Sequence, residues 1–498
     1  MDVRRTGVWF TVLALGLAAF HAPNLDAPFG LMHMNAGSYF GVFMRNWEHH
    51  GFWATRGLPI MPKLAETVAS GMPYVHHPPG MSWLFHALGG QEWSIRLPTI
   101  AATFLAAIYW FRLCCTRLPR GVAMWSAAIL AFSPALAVLC QASYEPLVIA
   151  CGLVVMSEVV NPVRPRWLSI ASQIAAAFAG TWIDWGFAFL GLACIPLAWT
   201  NGPLAALRRL AVPGATAVIA AATVVWWTHW ALDAPGVVKP PAADRDLAML
   251  AGSALFRPWP PFDWWFPGLC TGISDIWTPW LFGVFALGIG FAFAQHTRFA
   301  IAMSIAAVSP FVLLSMPGDL IWHGFPVPMI ALAGGAALSA GLASGRASVR
   351  RASAIAAAAM LTGMVDAGWS LRARSETTFY ERLGAALSEA AREPGWGATH
   401  CVPIGLACYY RSPRIAVFGA MTPASIEPFA KNLDGLGWRC VFVVPSDRAL
   451  RLPHMEQHLQ ACRRQRLPSL EVEFCRTAAG EVVRIDEAWL YTLCEPKR

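Results

Sequence analysis

The sequence predicts an α-helical polytopic membrane protein of about 11 transmembrane helices, followed by a C-terminal extracytoplasmic α/β domain. Three observations point there. Only 13% of the 498 residues are charged, against roughly 25% in a soluble protein, and 56% are hydrophobic. Apolar runs of bilayer length recur as far as residue 370. From Arg372 onward polar residues return, and short strand-like runs accompany a helical stretch.

The apolar runs fall near 7–22, 95–114, 122–140, 144–161, 168–185, 186–200, 211–230, 277–295, 299–316, 326–344 and 353–370. The run at 186–200 is short and its boundary with its predecessor is indistinct. Residues 1–22 open with Arg4 and Arg5 like a signal peptide, but no small-residue cleavage site follows, so they read as the first span. Many of the 24 tryptophans cluster at run ends, where aromatic belts meet the bilayer interface. Gly288 with Gly290, and Gly334 with Gly335, read as small-residue packing positions between membrane helices.

Arginine placement gives the orientation. Arg4/Arg5, Arg117/Arg120, Arg164/Arg166, Arg208/Arg209, Arg298 and Arg346/Arg350/Arg351 fall in alternate loops. A cytoplasmic N-terminus puts every cluster on the cytoplasmic side. It leaves outside a first loop (about 23–94), a turn near 141–144, a second long loop (about 231–276) and the tail from 371. The net charge of +8 comes largely from these loop clusters rather than from a binding stripe, so nucleic acid is not expected as a partner.

The chain thus divides into a transmembrane domain, 1–370, and an outer domain, 371–498. The tail combines a helix (Glu376 to Arg392) with strand-like runs at Arg414–Phe418, Cys440–Val444, Leu470–Phe474 and Val482–Ile485. It also holds Cys401, Cys408, Cys440, Cys462, Cys475 and Cys494. An even number outside the cytoplasm favours disulfides, with about fifteen possible pairings. A metal site is the rival, but no CxxC or HxxxH accompanies them.

The first loop carries the chemistry-bearing residues. It runs through Asn24-Leu-Asp26, Met34-Asn35-Ala-Gly-Ser-Tyr39-Phe40-Gly41 and Arg45-Asn46-Trp47-Glu48-His49-His50-Gly51. Pro73-Tyr74-Val-His76-His77-Pro78-Pro79 follows, and Glu92-Trp-Ser-Ile-Arg96-Leu97-Pro98 opens the second span. This order resembles the protein mannosyltransferase and aminoarabinose transferase superfamily, integral-membrane C-type (GT-C-like, family 39-like) glycosyltransferases with many bacterial members. The resemblance covers about residues 1–160. It loosens to about 344, where Phe325-Pro326-Val-Pro328 is similar to the family's lead into a late helix, and it does not reach the tail.

The resemblance implies transfer of a single sugar from a polyprenyl-phosphate donor to an acceptor (lipid, glycan or protein) outside the cytoplasm. It places the chain in a bacterial inner membrane, N-terminus cytoplasmic and C-terminal domain periplasmic. The expected partners are the polyprenyl-phosphate-linked sugar, membrane lipid and an unidentified acceptor. The family further implies horizontal helices in the first loop, one acid at the head of that loop's helix and a second between the third and fourth spans. In some members a divalent metal ion sits near the donor phosphate; no other cofactor is expected.

By position His76 resembles the family's metal-liganding or acidic residue, and His77 its phosphate-contacting lysine; imidazole suits either role. The two prolines after them fix an extended backbone. Both could equally be interfacial loop histidines. Glu145, in Ser143-Tyr144-Glu145-Pro146, resembles the second acid; the plain alternative is a helix-start carboxylate favoured by the macrodipole. Residues 34–39, where the first acid belongs, contain no carboxylate, and Asn35 stands at its place. Asparagine can bind a substrate but cannot act as a base. Either the acceptor needs no base, or Asp26, Glu48 or Glu145 has taken over, or the chain is inactive.

Other candidates are weaker. Tyr74 sits in the motif as a substrate contact. His229, beside Trp226, Trp227 and Trp230, could complete a metal site with His76 or merely line an interface belt. His323 and Lys239 are candidates for the polyprenyl phosphate, and Arg96 either caps the first-loop architecture or meets lipid phosphate. Asp184, Asp263 and Asp275 read as solvated or structural carboxylates. No P-loop, dinucleotide fingerprint, HExxH or nucleophile elbow is present. Two rival functions remain: a secondary transporter, disfavoured by the long first loop and the missing internal repeat, and a non-catalytic membrane scaffold, favoured by the missing acid.

Overall fold

The computed structural model describes residues 3–25, 35–61, 72–75, 77–140, 143–163, 165–199, 202–234, 237, 293, 297–310 and 324–375, and seven strands of the tail. In chain order the helices are α1 (Val3–His21), α2 (Asn35–His50), α3 (Gly80–Ala87), α4 (Glu92–Cys115), α5 (Arg120–Ala131), α6 (Pro134–Leu139), α7 (Glu145–Val160), α8 (Arg166–Ile183), α9 (Phe187–Ala198), α10 (Pro203–Leu232), α11 (297–310), α12 (Val327–Leu342) and α13 (Ala347–Ser375). In hydrocarbon every backbone donor and acceptor must be satisfied within its own segment, so apolar runs become helices. The observed helices follow the predicted runs closely. The run at 277–295 lies outside the described residues, and that at 299–316 is described as far as 310. By length and composition Glu92–Cys115, Arg120–Leu139 and Pro203–Leu232 can each cross a membrane.

The run predicted as one span at 122–140 is interrupted. Helix α5 stops at Ala131 and α6 starts at Pro134. Pro134 has no N–H for the preceding turn, and the Ser133 hydroxyl accepts from the Leu136 amide at 3.2 Å, capping a new start. Proline just inside a helix start recurs at α7, where Pro146 follows Glu145, and at α12, where Pro328 follows Val327.

Two compact units emerge. The first comprises residues 1–27, 75–229 and 241–373. Its centre is α7, which packs on α4, α8 and α9 and is buried along almost its whole length. Between membrane helices close approach matters more than apolar area, and glycines permit it. A Cβ added at Gly335 of α12 would lie 2.7 Å from the Ser126 amide nitrogen of α5, so Gly335 is a packing position as the sequence suggested. Gly152 lets α9 close on α7 in the same way, through Leu190. Large apolar side chains such as Val12, Val218 and Trp226 are exposed on the helix surfaces, as lipid-facing residues are.

The second unit comprises residues 28–74, 230–240 and 374–498. Here α2 clamps an extended segment: Asn46 Nδ2 donates to the Ile60 carbonyl at 2.7 Å, and Trp47 Nε1 to that of Leu58 at 2.9 Å. That segment pairs as strand β1 (Ile60–Met61) with antiparallel β2 (Met72–Pro73). In the tail, β3 (Trp396–His400), β4 (Ile415–Phe418), β5 (Arg439–Pro445), β6 (Cys462–Arg466) and β9 (Ala488–Leu493) form a sheet in the order β4-β3-β5-β9-β6. Strands β7 (Glu473–Arg476) and β8 (Val482–Ile485) form a separate antiparallel pair. Of the four predicted runs, Val482–Ile485 appears with the same bounds and the others within one to three residues, and Trp396–His400, Cys462–Arg466 and Ala488–Leu493 are additional. The predicted helix from Glu376 to Arg392 lies outside the described residues.

Candidate functional site

Three backbone corners of the first unit meet around His77. The first is the head of α7. Tyr144 and Glu145 are buried there, Glu145 completely. The Ser143 hydroxyl donates to Glu145 Oε2, and a carboxylate at a helix N-terminus gains from the macrodipole. Gly324, before α12, lies against the same residue: a Cβ there would sit 3.3 Å from the Glu145 Cβ.

The second corner is the extended segment ending in Pro78 and Pro79, both buried. It leads into α3 at Gly80, whose backbone rests on the Trp182 carbonyl so closely that any Cβ would collide. This contact carries His77 to the third corner, between α8 and α9. There His77 Nδ1 meets Asp184 Oδ2, and Asp184 Oδ1 accepts from the Gly186 amide at 2.6 Å. The His77 ring lies 5.0 Å from the Tyr144 ring, tilted at 44°. His77 keeps 25% of its side chain exposed while Asp184 keeps 1%, so of the two the imidazole is the one turned to solvent. Beside this corner Trp83 packs on Trp182 at 5.1 Å and on Trp227 at 4.9 Å, an aromatic wall.

Of the two alternatives the sequence left for Asp184, solvated or structural, the second holds: it is buried and paired. Its partner lies 107 residues away, so no local pattern could have singled it out. The Arg96 guanidinium is buried and Nη1 donates to the Leu25 carbonyl at 3.1 Å, tying the foot of the first loop to α4.

The remaining candidates are placed as follows. Asn35 is the first residue of α2. Glu48, on the same helix, is exposed and pairs with Arg45 at 3.0 Å. The Tyr74 amide donates to the Pro59 carbonyl at 2.8 Å, and its ring lies 5.2 Å from that of Phe43. His229 is exposed near the C-terminal end of α10. Asp26, His76, Lys239, His323, Asp263 and Asp275 lie outside the described residues. Among the described residues no three His, Cys, Asp or Glu side chains are grouped to hold a metal ion.

No protein-family model matches the sequence, and no curated protein sequence matches it. Solved structures do. ArnT from Cupriavidus metallidurans in the apo state superposes with a TM-score of 0.62 at 13% identity, covering 100% of both chains. The same protein bound to undecaprenyl phosphate gives 0.60 at 14% identity, again over 100% of each. The Archaeoglobus fulgidus oligosaccharyltransferase gives 0.57 at 13% identity over 96% of this chain and 74% of that one. It has also been solved with zinc and sulfate (TM-score 0.50) and, as AglB, with an inhibitory peptide and a dolichol-phosphate (0.53). The mycobacterial arabinofuranosyltransferase AftD gives 0.57 at 15% identity over 100% of this chain and 40% of that one. The fold is that of the GT-C membrane glycosyltransferases.

Proposed function

We propose that this chain is a membrane glycosyltransferase moving a single sugar from a polyprenyl-phosphate donor to an acceptor outside the cytoplasm. The observation that carries the reading is its end-to-end likeness in fold to ArnT, a protein crystallised with undecaprenyl phosphate. The oligosaccharyltransferase solved with a dolichol-phosphate and an inhibitory peptide supports the reading that this fold takes a lipid phosphate. On this reading the chain has about eleven spans, its N-terminus is cytoplasmic, its tail is a periplasmic α/β domain, and the membrane is a bacterial inner membrane.

The acceptor's hydroxyl oxygen bonds to the anomeric carbon of the donor sugar. The bond from that carbon to the phosphate oxygen breaks, and polyprenyl phosphate leaves with the electron pair. Two demands follow: charge growing on the phosphate must be stabilised, and the hydroxyl proton must go to a base. His77 meets the first demand as an N–H donor to a phosphate oxygen. Glu145 meets the second, since Asn35 at the head of α2 cannot take a proton. Of the sequence candidates in the same unit, His323 is assigned to a donor contact, and Asp26 stands as an alternate to Glu145. Trp83 and Trp182, partly exposed and backed by the buried Trp227, offer an apolar surface for the lipid. A divalent cation at His76, with His229 as a candidate second ligand, would add charge beside the phosphate, in keeping with the zinc complex of the oligosaccharyltransferase. No step above depends on it.

Asn35 also favours a second reading, a non-catalytic scaffold of the same fold. One experiment separates the two. A strain lacking the protein is compared with its parent by mass spectrometry of envelope glycolipids and glycoproteins. The transferase reading expects loss of one sugar unit, restored by the wild-type chain and not by Glu145→Gln. An unchanged envelope, or full restoration by Glu145→Gln together with His77→Gln, contradicts it.

A further inference from the structure

We infer that Asp184 is a positioning residue, which fixes the His77 ring so that Nε2 is presented to the donor phosphate. The inference rests on the function proposed above and adds a residue it does not contain. A carboxylate only accepts hydrogen bonds, so the proton shared with His77 belongs to Nδ1. That assignment fixes both the ring's orientation and its tautomer, because the bond made by one imidazole nitrogen decides what the other can do. Nε2 then stands on the ring edge opposite Asp184, on a side chain that stays a quarter exposed.

The surroundings hold Asp184 to this task. Its two oxygens are divided, Oδ1 to the Gly186 amide and Oδ2 to His77. A side chain at residue 186 would break the arrangement, since a Cβ there would come within 2.8 Å of Oδ1 and 2.9 Å of Phe325 Cζ. The Tyr144 ring lies close to the imidazole as well, restricting its rotation. A carboxylate buried this deeply is costly unless it is paired and hydrogen-bonded. A turn that needed only a cap for Gly186 could use a neutral asparagine.

Asp184→Asn is the informative change. It keeps an oxygen for Gly186 but turns an amide N–H₂ toward Nδ1, which selects the other tautomer. The full chain in lipid nanodiscs is titrated with undecaprenyl phosphate, in wild type, His77→Gln, Asp184→Asn and the double variant. Asp184→Asn is expected to weaken binding roughly ten- to hundredfold, by analogy with the loss of a carboxylate that orients a metal-binding histidine. In the His77→Gln background the same change is expected to do nothing further. Equal effects in both backgrounds, or wild-type affinity in Asp184→Asn, overturn the inference and leave the proposed function standing. No binding of undecaprenyl phosphate by the wild type overturns both. Should Asp184→Asn fail to fold, ¹⁵N spectra of histidine-labelled wild type decide instead, with the His77 signals identified by their loss in His77→Gln. A protonated Nδ1 and an Nε2 signal that shifts on adding the lipid are expected, and an unprotonated Nδ1 overturns the inference.

Discussion

Burying a carboxylate costs several kcal/mol unless partners offset it, so Glu145 and Asp184 each require a reason to exist. Asp184 has His77 and the Gly186 amide. Glu145 has the hydrogen bond from the Ser143 hydroxyl and the first turn of α7. Glu145→Gln keeps the volume and removes the base. Transfer is expected to slow about 10²–10⁴-fold with the donor KM little changed, measured by steady-state release of polyprenyl phosphate; an unaltered kcat removes Glu145 from the mechanism. Asn35→Ala is expected to cost less than the roughly hundredfold floor of a proton-transferring group in the same assay. Glu145 and His77 stood out in the sequence because each occupies a position that resembles one in the glycosyltransferase superfamily's motifs, and the prolines beside them mark a helix start and a rigid extension. Asp184 did not, because what marks it is a contact made only when α8 and α9 fold back onto the segment before α3.

Among the elements, helix boundaries were the most legible feature, since bilayer thickness sets run length and proline and arginine mark the ends. The break between α5 and α6 was hidden inside one continuous apolar run, where Ser133-Pro134 decides the local geometry against composition. Ser133→Ala is expected to lower stability by about 0.5–2 kcal/mol through loss of the cap. Gly335→Val overfills the contact between α5 and α12 and is expected to cost about 1–3 kcal/mol. Thermal unfolding in detergent checks both, and an unchanged melting temperature for Gly335→Val contradicts the close approach. The sheet register also bears on the tail cysteines. Cys462 is level with Leu493 on one side of β9. Cys440, one residue before the Val441–Thr492 pair, stands at that level on the other side. Two strand spacings make about 9–10 Å, beyond the roughly 6.8 Å reach of a disulfide between Cα atoms. A non-reducing peptide map is expected to lack a Cys440–Cys462 link, and finding one overturns this register.

At the scale of the whole molecule, scarce charge and alternating arginine clusters made the membrane class readable from composition, and the fold agrees. The acceptor was not readable, because the tail resembles nothing that names one. Orientation is testable with single cysteines. Glu48→Cys, on an exposed position of α2, is expected to react with a membrane-impermeant maleimide added outside intact cells, above the labelling of the parent chain, whereas Arg166→Cys is not. The reverse pattern puts the site in the cytosol.

The most direct measurement is an experimental structure of the full chain with undecaprenyl phosphate in a lipid nanodisc. The phosphate is expected beside the head of α7, with an oxygen about 2.7–3.2 Å from His77 Nε2 and the isoprenoid tail leaving along the tryptophan wall. A phosphate bound elsewhere, with His77 and Glu145 facing no lipid, contradicts the account.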